Sequence, residues 1–221
     1  MRIGLFGGTF NPIHHGHLRT TREVKEHFKL DKIYLIPSAL PPHKEASGVA
    51  NANDRLEMTR LAVSSDPDFY VSDVELKRSG PSFTIDTVYH FKSQLPEDTE
   101  LHLIMGLDAF LEIDTWKSYS NLFLLIPFII LSRPGAGYDD SHLKWKALED
   151  YLNFRISDGY TFSSSKSCYV HGSKPPVFRI DVSPQDISST KIRRRVQKGL
   201  PIQSLVPEKV EAFIKIKGLY L

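Results

Sequence analysis

Cysteine is nearly missing from this chain: its 221 residues include one, Cys168. A single thiol excludes an intrachain disulfide and a cysteine-built zinc site. No partner motif surrounds Cys168, so it reads as a structural or incidental thiol rather than a nucleophile. Long apolar runs are missing too. The longest, Leu122 to Leu131, is interrupted by Pro127 and is about half of what a bilayer-spanning helix needs. Nor is there an excess of one charge, since 28 Lys and Arg against 26 Asp and Glu leave +2. That balance gives no broad nucleic-acid footprint, although Lys191, Arg193, Arg194 and Arg195 make a local basic cluster. Met1 leads straight into a strand candidate, so no signal or transit peptide is expected. A cytoplasmic protein with neither membrane nor nucleic-acid partner is expected, and homo-oligomerisation stays open. No internal repeat or low-complexity tract appears, and the length fits one domain over residues 1–221.

What is present is an alternation of short apolar strands with helical stretches. Strands are expected at Ile3–Phe6, Lys32–Pro37, Phe69–Glu75, Leu101–Met105, Pro127–Ser132 and Val177–Val182. Helices are expected from about His17 to Phe28, from Asp54 to Ser64, and from Thr84 to Gln94 with Ser82 or Thr84 as N-cap. A further helix is expected from Ser141 to Leu152. A turn-rich, irregular or hairpin excursion then completes the segment 138–176. A small helical part follows at about 187–221, with Ser188 or Ser189 capping its first helix and Pro207 to Lys215 its last. The pattern is that of an α/β fold, a doubly wound, mostly parallel sheet with flanking helices. In such sheets ligands gather beyond the carboxyl ends of strands. Gly7-Gly8, Pro37-Ser38, Gly106 to Asp108 and Arg133 each fall just after a predicted strand.

The stretch Gly7-Gly8-Thr9-Phe10-Asn11-Pro12-Ile13-His14-His15-Gly16-His17 follows the first strand. Two glycines let a backbone approach an anion closely and adopt φ > 0. The helix that begins next offers unpaired N–H groups and a partial positive charge. His14 and His17 stand three apart and project to one side of the opening turn. Two imidazoles over a phosphate-sized hole suit charge developing on transferring phosphate oxygens.

These residues resemble the HxGH signature of the nucleotidylyltransferase superfamily, and Ile187-Ser188-Ser189-Thr190-Lys191-Ile192-Arg193 is similar to its ISSTxIR motif. Pro41-Pro42-His43-Lys44, Ser82 to Thr87, Gly106-Leu107-Asp108 with Trp116, and Arg133-Pro134-Gly135 resemble the bacterial nicotinate-mononucleotide adenylyltransferases within it. Asn11 departs from the pattern, in which many relatives have Asp; this weakens any role that needs a carboxylate there.

The resemblance implies a Rossmann-like fold and an enzyme joining ATP to nicotinate mononucleotide, with release of pyrophosphate and formation of nicotinate adenine dinucleotide. It implies His14 and His17 as catalytic residues. It implies ATP contacts from Gly7, Gly8, Thr9, Phe10, His14, His17, Asp108, Ser188, Ser189, Thr190 and Arg193, and acceptor contacts from Lys44, Thr84, Trp116 and Arg133. Phosphate proximity would favour the cationic form of both imidazoles. Mg²⁺ is expected as a counterion on the phosphates rather than in a protein cage, since no carboxylate or histidine cluster has metal-ligand spacing. Amidated nicotinamide mononucleotide or phosphopantetheine as acceptor is the nearest alternative reading, and a non-catalytic nucleotide-binding domain the more distant one.

Overall fold

The computed structural model describes residues 1–39, 48–132, 141–184 and 186–221, with backbone alone at 141 and 142. The strands are β1 (Arg2–Gly8), β2 (Lys32–Pro37), β3 (Phe69–Val71), β4 (Glu100–Gly106), β5 (Phe128–Ser132), β6 (Thr161–Ser163), β7 (Cys168–Val170) and β8 (Val177–Asp181). Helices are α1 (His15–Phe28), α2 (Ala52–Val63), α3 (Thr84–Gln94), α4 (Leu107–Phe110), α5 (Tyr119–Leu125), α6 (Ser141–Tyr151), α7 (Ser189–Gln197) and α8 (Glu208–Lys217). The sheet is mostly parallel, in the order β3-β2-β1-β4-β5-β8-β7-β6. The order reverses at β1, the position where open α/β sheets place their ligands. Among the described residues no helix is long and apolar enough to cross a membrane.

Two compact units divide the chain. One comprises Met1–Leu5 and Phe83–Pro184, the other Phe6–Ser82 and Gln185–Leu221. In the first, β4 and β5 pair in parallel, and Phe128 to Leu131 are fully buried. A near-continuous apolar strand is what burial on both faces requires. The run Leu122–Leu131 is therefore two elements, the end of α5 and all but the last residue of β5, parted around Pro127. Phe110 meets Phe123 and Phe128 edge-on, and those two stack at 4.6 Å. Residues 141–176 contribute α6 and a hairpin of β6 and β7, which adds to β8 antiparallel. Cys168 is buried in that hairpin, and burial pushes its thiol pKa up, as befits a packing residue.

In the second unit β2 pairs in parallel with β3, and α2 packs on α8. The two helices are tied by Lys209 Nζ donating to Ser64 Oγ at 2.8 Å and by Lys217 beside Asp54 at 3.5 Å.

Three local expectations need correction. The strand expected over Phe69–Glu75 stops at Val71, because Ser72 Oγ accepts the Val74 N–H and turns the chain. Neither Ser82 nor Thr84 caps α3: its N-cap is Phe83, with no side-chain bond, while Ser82 Oγ accepts the Ala39 N–H at 2.9 Å. Helix α1 opens at His15, earlier than expected, because His14 supplies the cap.

Candidate active site

The HxGH segment is built on the carboxyl end of β1. A Cβ added at Gly7 would meet nothing within 4 Å, so the chain borders open space there. At Gly8 the same atom would lie 2.9 Å from the Phe10 ring. Handedness is not what calls for glycine here: both glycines sit in the strand, and the positive φ falls on Phe10, at 47°. Phe10 and Ile13 are buried and anchor the loop from below.

His14 caps α1 with its ring. Its Nδ1 accepts the backbone N–H of His17 at 3.3 Å, so a neutral His14 holds its proton on Nε2. A cation would lose this cap, which qualifies the expectation that both imidazoles are charged. The His14 and His17 rings stack at 3.7 Å and 20°, and Phe10 meets the His17 ring edge-on at 5.2 Å. His15 turns elsewhere. Its backbone N–H donates to Leu205 O at 3.0 Å, and burial, then the charge of Arg19, lowers the pKa of its ring.

The second motif folds against the first. Ser188 caps α7 by accepting the Lys191 N–H at 3.1 Å. Ser189 Oγ donates to Pro12 O at 2.9 Å, and Arg193 Nη1 donates to Asn11 O at 2.9 Å. Arg193 Nη2 reaches Thr190 Oγ1 at 3.4 Å. Segments more than 170 residues apart in sequence are thereby joined at hydrogen-bond range. Neither α1 nor α7 has an acidic residue in its first turn. Two helix N-termini, their partial positive charges unopposed by carboxylates of their own, lie beside the imidazole pair and a guanidinium, a setting that favours anions.

Two residues that hold this loop escaped sequence reading. Arg55, 1% exposed, donates to Thr9 O at 2.7 Å, Ala50 O at 2.9 Å and Ala39 O at 3.1 Å. Burial pulls its pKa down, and the three carbonyls satisfy the guanidinium that burial would otherwise strand. The one available signal was its place on the buried row of α2 with Thr59 and Val63. Tyr220, just beyond α8, donates its hydroxyl to Asn11 Oδ1 at 2.9 Å; nothing in the local sequence marks it.

The other unit contains Thr84, Asp108 and Trp116. Thr84 opens α3, and the half-buried Trp116 closes a 3-10 turn, its backbone N–H donating to Ile113 O at 2.9 Å. Asp108 is exposed in α4, its carboxylate folded over Gly106 where any Cβ would collide with it. Lys44, with the Pro41-Pro42-His43 loop, and Arg133, with Pro134-Gly135, lie outside the described residues. Among the described residues no group of three or more His, Cys, Asp or Glu is placed to hold a metal ion.

Comparison with known proteins shows this chain to be a nucleotidyltransferase. The family model for cytidylyltransferase-like proteins matches residues 5–195, and the chain belongs to that family. It is 44% identical to a probable nicotinate-nucleotide adenylyltransferase of Desulfatibacillum aliphaticivorans, covering all of both chains. Identity is 39% to the probable nicotinate-nucleotide adenylyltransferase of Geotalea daltonii, over all of this chain and 98% of that one. Among solved structures, the fold is similar to that of Plasmodium falciparum nicotinic acid mononucleotide adenylyltransferase complexed with NaAD. The TM-score is 0.71 at 17% identity, covering 99% of this chain and 97% of the other.

Proposed function

We propose that this protein transfers the adenylyl group of ATP to nicotinate mononucleotide, forming nicotinate adenine dinucleotide and pyrophosphate for NAD biosynthesis. One observation supports the reading most: Ser189 and Arg193 of the second motif bond to Pro12 and Asn11 of the first, so both face the same small region. The names of the full-length relatives supply the acceptor.

In this reaction a phosphate oxygen of the mononucleotide attacks the α-phosphorus of ATP. The bond to the bridging oxygen breaks, and pyrophosphate leaves with the electron pair. The protein's part is alignment and charge neutralisation. The open edge at Gly7 admits the triphosphate backbone closely, with Gly8, Thr9 and Phe10 shaping the turn beside it. His14, its Nδ1 occupied by the cap, offers an Nε2–H donor, and His17 stands over the α-phosphate, where charge changes most. Ser188, Thr190 and the N–H groups opening α7 serve the β- and γ-phosphates. Ser189 assists from the backbone, since its hydroxyl is directed at Pro12 O. Arg193 adds a fixed positive charge and keeps N–H groups beyond the one on Asn11 O. Mg²⁺, bound through phosphate oxygens, would neutralise part of their charge; the residues assigned to the triphosphate bring imidazoles, hydroxyls, N–H groups and a guanidinium but no carboxylate, which suits a metal that arrives on its nucleotide. For the acceptor we assign stacking on the pyridine to Trp116, carboxylate contact to Thr84, phosphate contact to Lys44 and nucleotide contact to Arg133, while Asp108 accepts from a ribose hydroxyl of ATP.

The test is pyrophosphate release from ATP with a panel of acceptors. Nicotinate mononucleotide is expected to give the highest kcat/KM, above nicotinamide mononucleotide and phosphopantetheine. Preference for either of the latter would overturn the acceptor, and no pyrophosphate with any of the three would overturn the enzyme.

A further inference from the structure

Gly218 ends α8 in the left-handed region, at φ 59°, and its N–H returns to the helix carbonyls of Ile214 and Lys215. That reversal is what glycine permits at low cost, and it turns Tyr220, itself at φ 67°, back toward the HxGH loop. Burial raises the pKa of its phenol, and the charges of Arg193 and Arg55 act on it in the opposite, smaller sense. Its hydroxyl donates to Asn11 Oδ1 at 2.9 Å.

Asn11 is buried and fully engaged. Its Oδ1 also accepts the Ala50 N–H at 3.0 Å, its Nδ2 donates to Gly48 O at 2.9 Å, and its backbone carbonyl accepts Arg193 Nη1. Every polar atom of the Asn11 side chain thus fixes its plane, and its carbonyl in turn aims Arg193. Three residues later the same loop delivers the His14 cap. Among the described residues no other side chain donates to Asn11 Oδ1; the remaining donor there is the Ala50 backbone.

We propose that Tyr220 is a positioning residue for adenylyl transfer, acting through Asn11 to orient Arg193 and the loop that presents His14 toward the triphosphate. This rests on the function proposed above. Tyr220→Phe keeps the ring and removes the one hydrogen bond. A bond of this kind is worth about three- to tenfold in an equilibrium. The expected result is a fall of about that size in kcat/KM for ATP, with KM for the mononucleotide unchanged. In an Asn11→Ala background the same change is expected to have almost no further effect, because the bond is already gone. Amide hydrogen–deuterium exchange of residues 9–17 reads the hold itself without turnover, and it should quicken in Tyr220→Phe while exchange in β4 and β5 does not. Wild-type kinetics and exchange in Tyr220→Phe, or equal losses in both backgrounds, would overturn the inference. Faster exchange in a protein whose wild type releases no pyrophosphate would keep the positioning role and remove the adenylyl-transfer reading instead.

Discussion

At Gly16 an added Cβ would stand 3.0 Å from both Cε1 and Nδ1 of the His14 ring and 3.5 Å from Ile187 O. The ring has little room to retreat, being 4% exposed and stacked on His17. Inside a helix, alanine in place of glycine normally adds up to about 1 kcal/mol of stability. Gly16→Ala should therefore separate the two properties. Turnover is expected to fall by about 10²-fold, the cost of displacing a reacting group by a fraction of an ångström to one ångström, while Tm changes by no more than a few degrees. Steady-state kinetics beside a thermal melt checks this. A variant as active as wild type would show that the seat of His14 does not matter. Motif spacing had marked His14, Gly16 and His17, but it could not show that Gly16 is there for the imidazole. Arg55 and Tyr220 were illegible for a plain reason: a buried arginine satisfied by carbonyls and a tyrosine beyond a helix end look like surface residues until the chain is folded.

Strands were read well where a strand is a continuous apolar run. The expected bounds at Lys32–Pro37 match β2, and Leu101–Met105 lies one residue inside each end of β4. Ends set by a side chain's hydrogen bond were read poorly, as at Ser72 and Ser82, because the competing backbone partner is distant or turns on one rotamer. His102, in the middle of β4, shows what burial does to a titratable strand residue. It is 4% exposed, and desolvation, then the charge of Arg2, lowers its pKa from 6.5. An unfolded chain takes up this proton below 6.5 more readily than the folded one. Stability should therefore fall as pH drops through that value. His15, also lowered, adds in the same direction. Urea unfolding between about pH 7.5 and 5.5 should show a positive slope of stability with pH, and a shallower one in His102→Gln. An unchanged slope in the variant would assign the effect elsewhere.

For the whole molecule, the alternation of strands and helices was enough to anticipate a doubly wound parallel sheet, and the strand order with its reversal at β1 agrees. The joining of two sequence-distant motifs was the part that periodicity could not supply, since it depends on where the chain returns after β8. It returns with α7 against the HxGH loop. In the function proposed above these two segments act on one polyphosphate, and a double-mutant cycle on kcat/KM for ATP decides whether they do. His17→Ala is expected to lose about 10²–10³-fold, Arg193→Ala a comparable factor, and the double variant far less than the product of the two, as for residues acting as a unit. A double loss equal to that product, or near-wild-type turnover in either single variant, would contradict it.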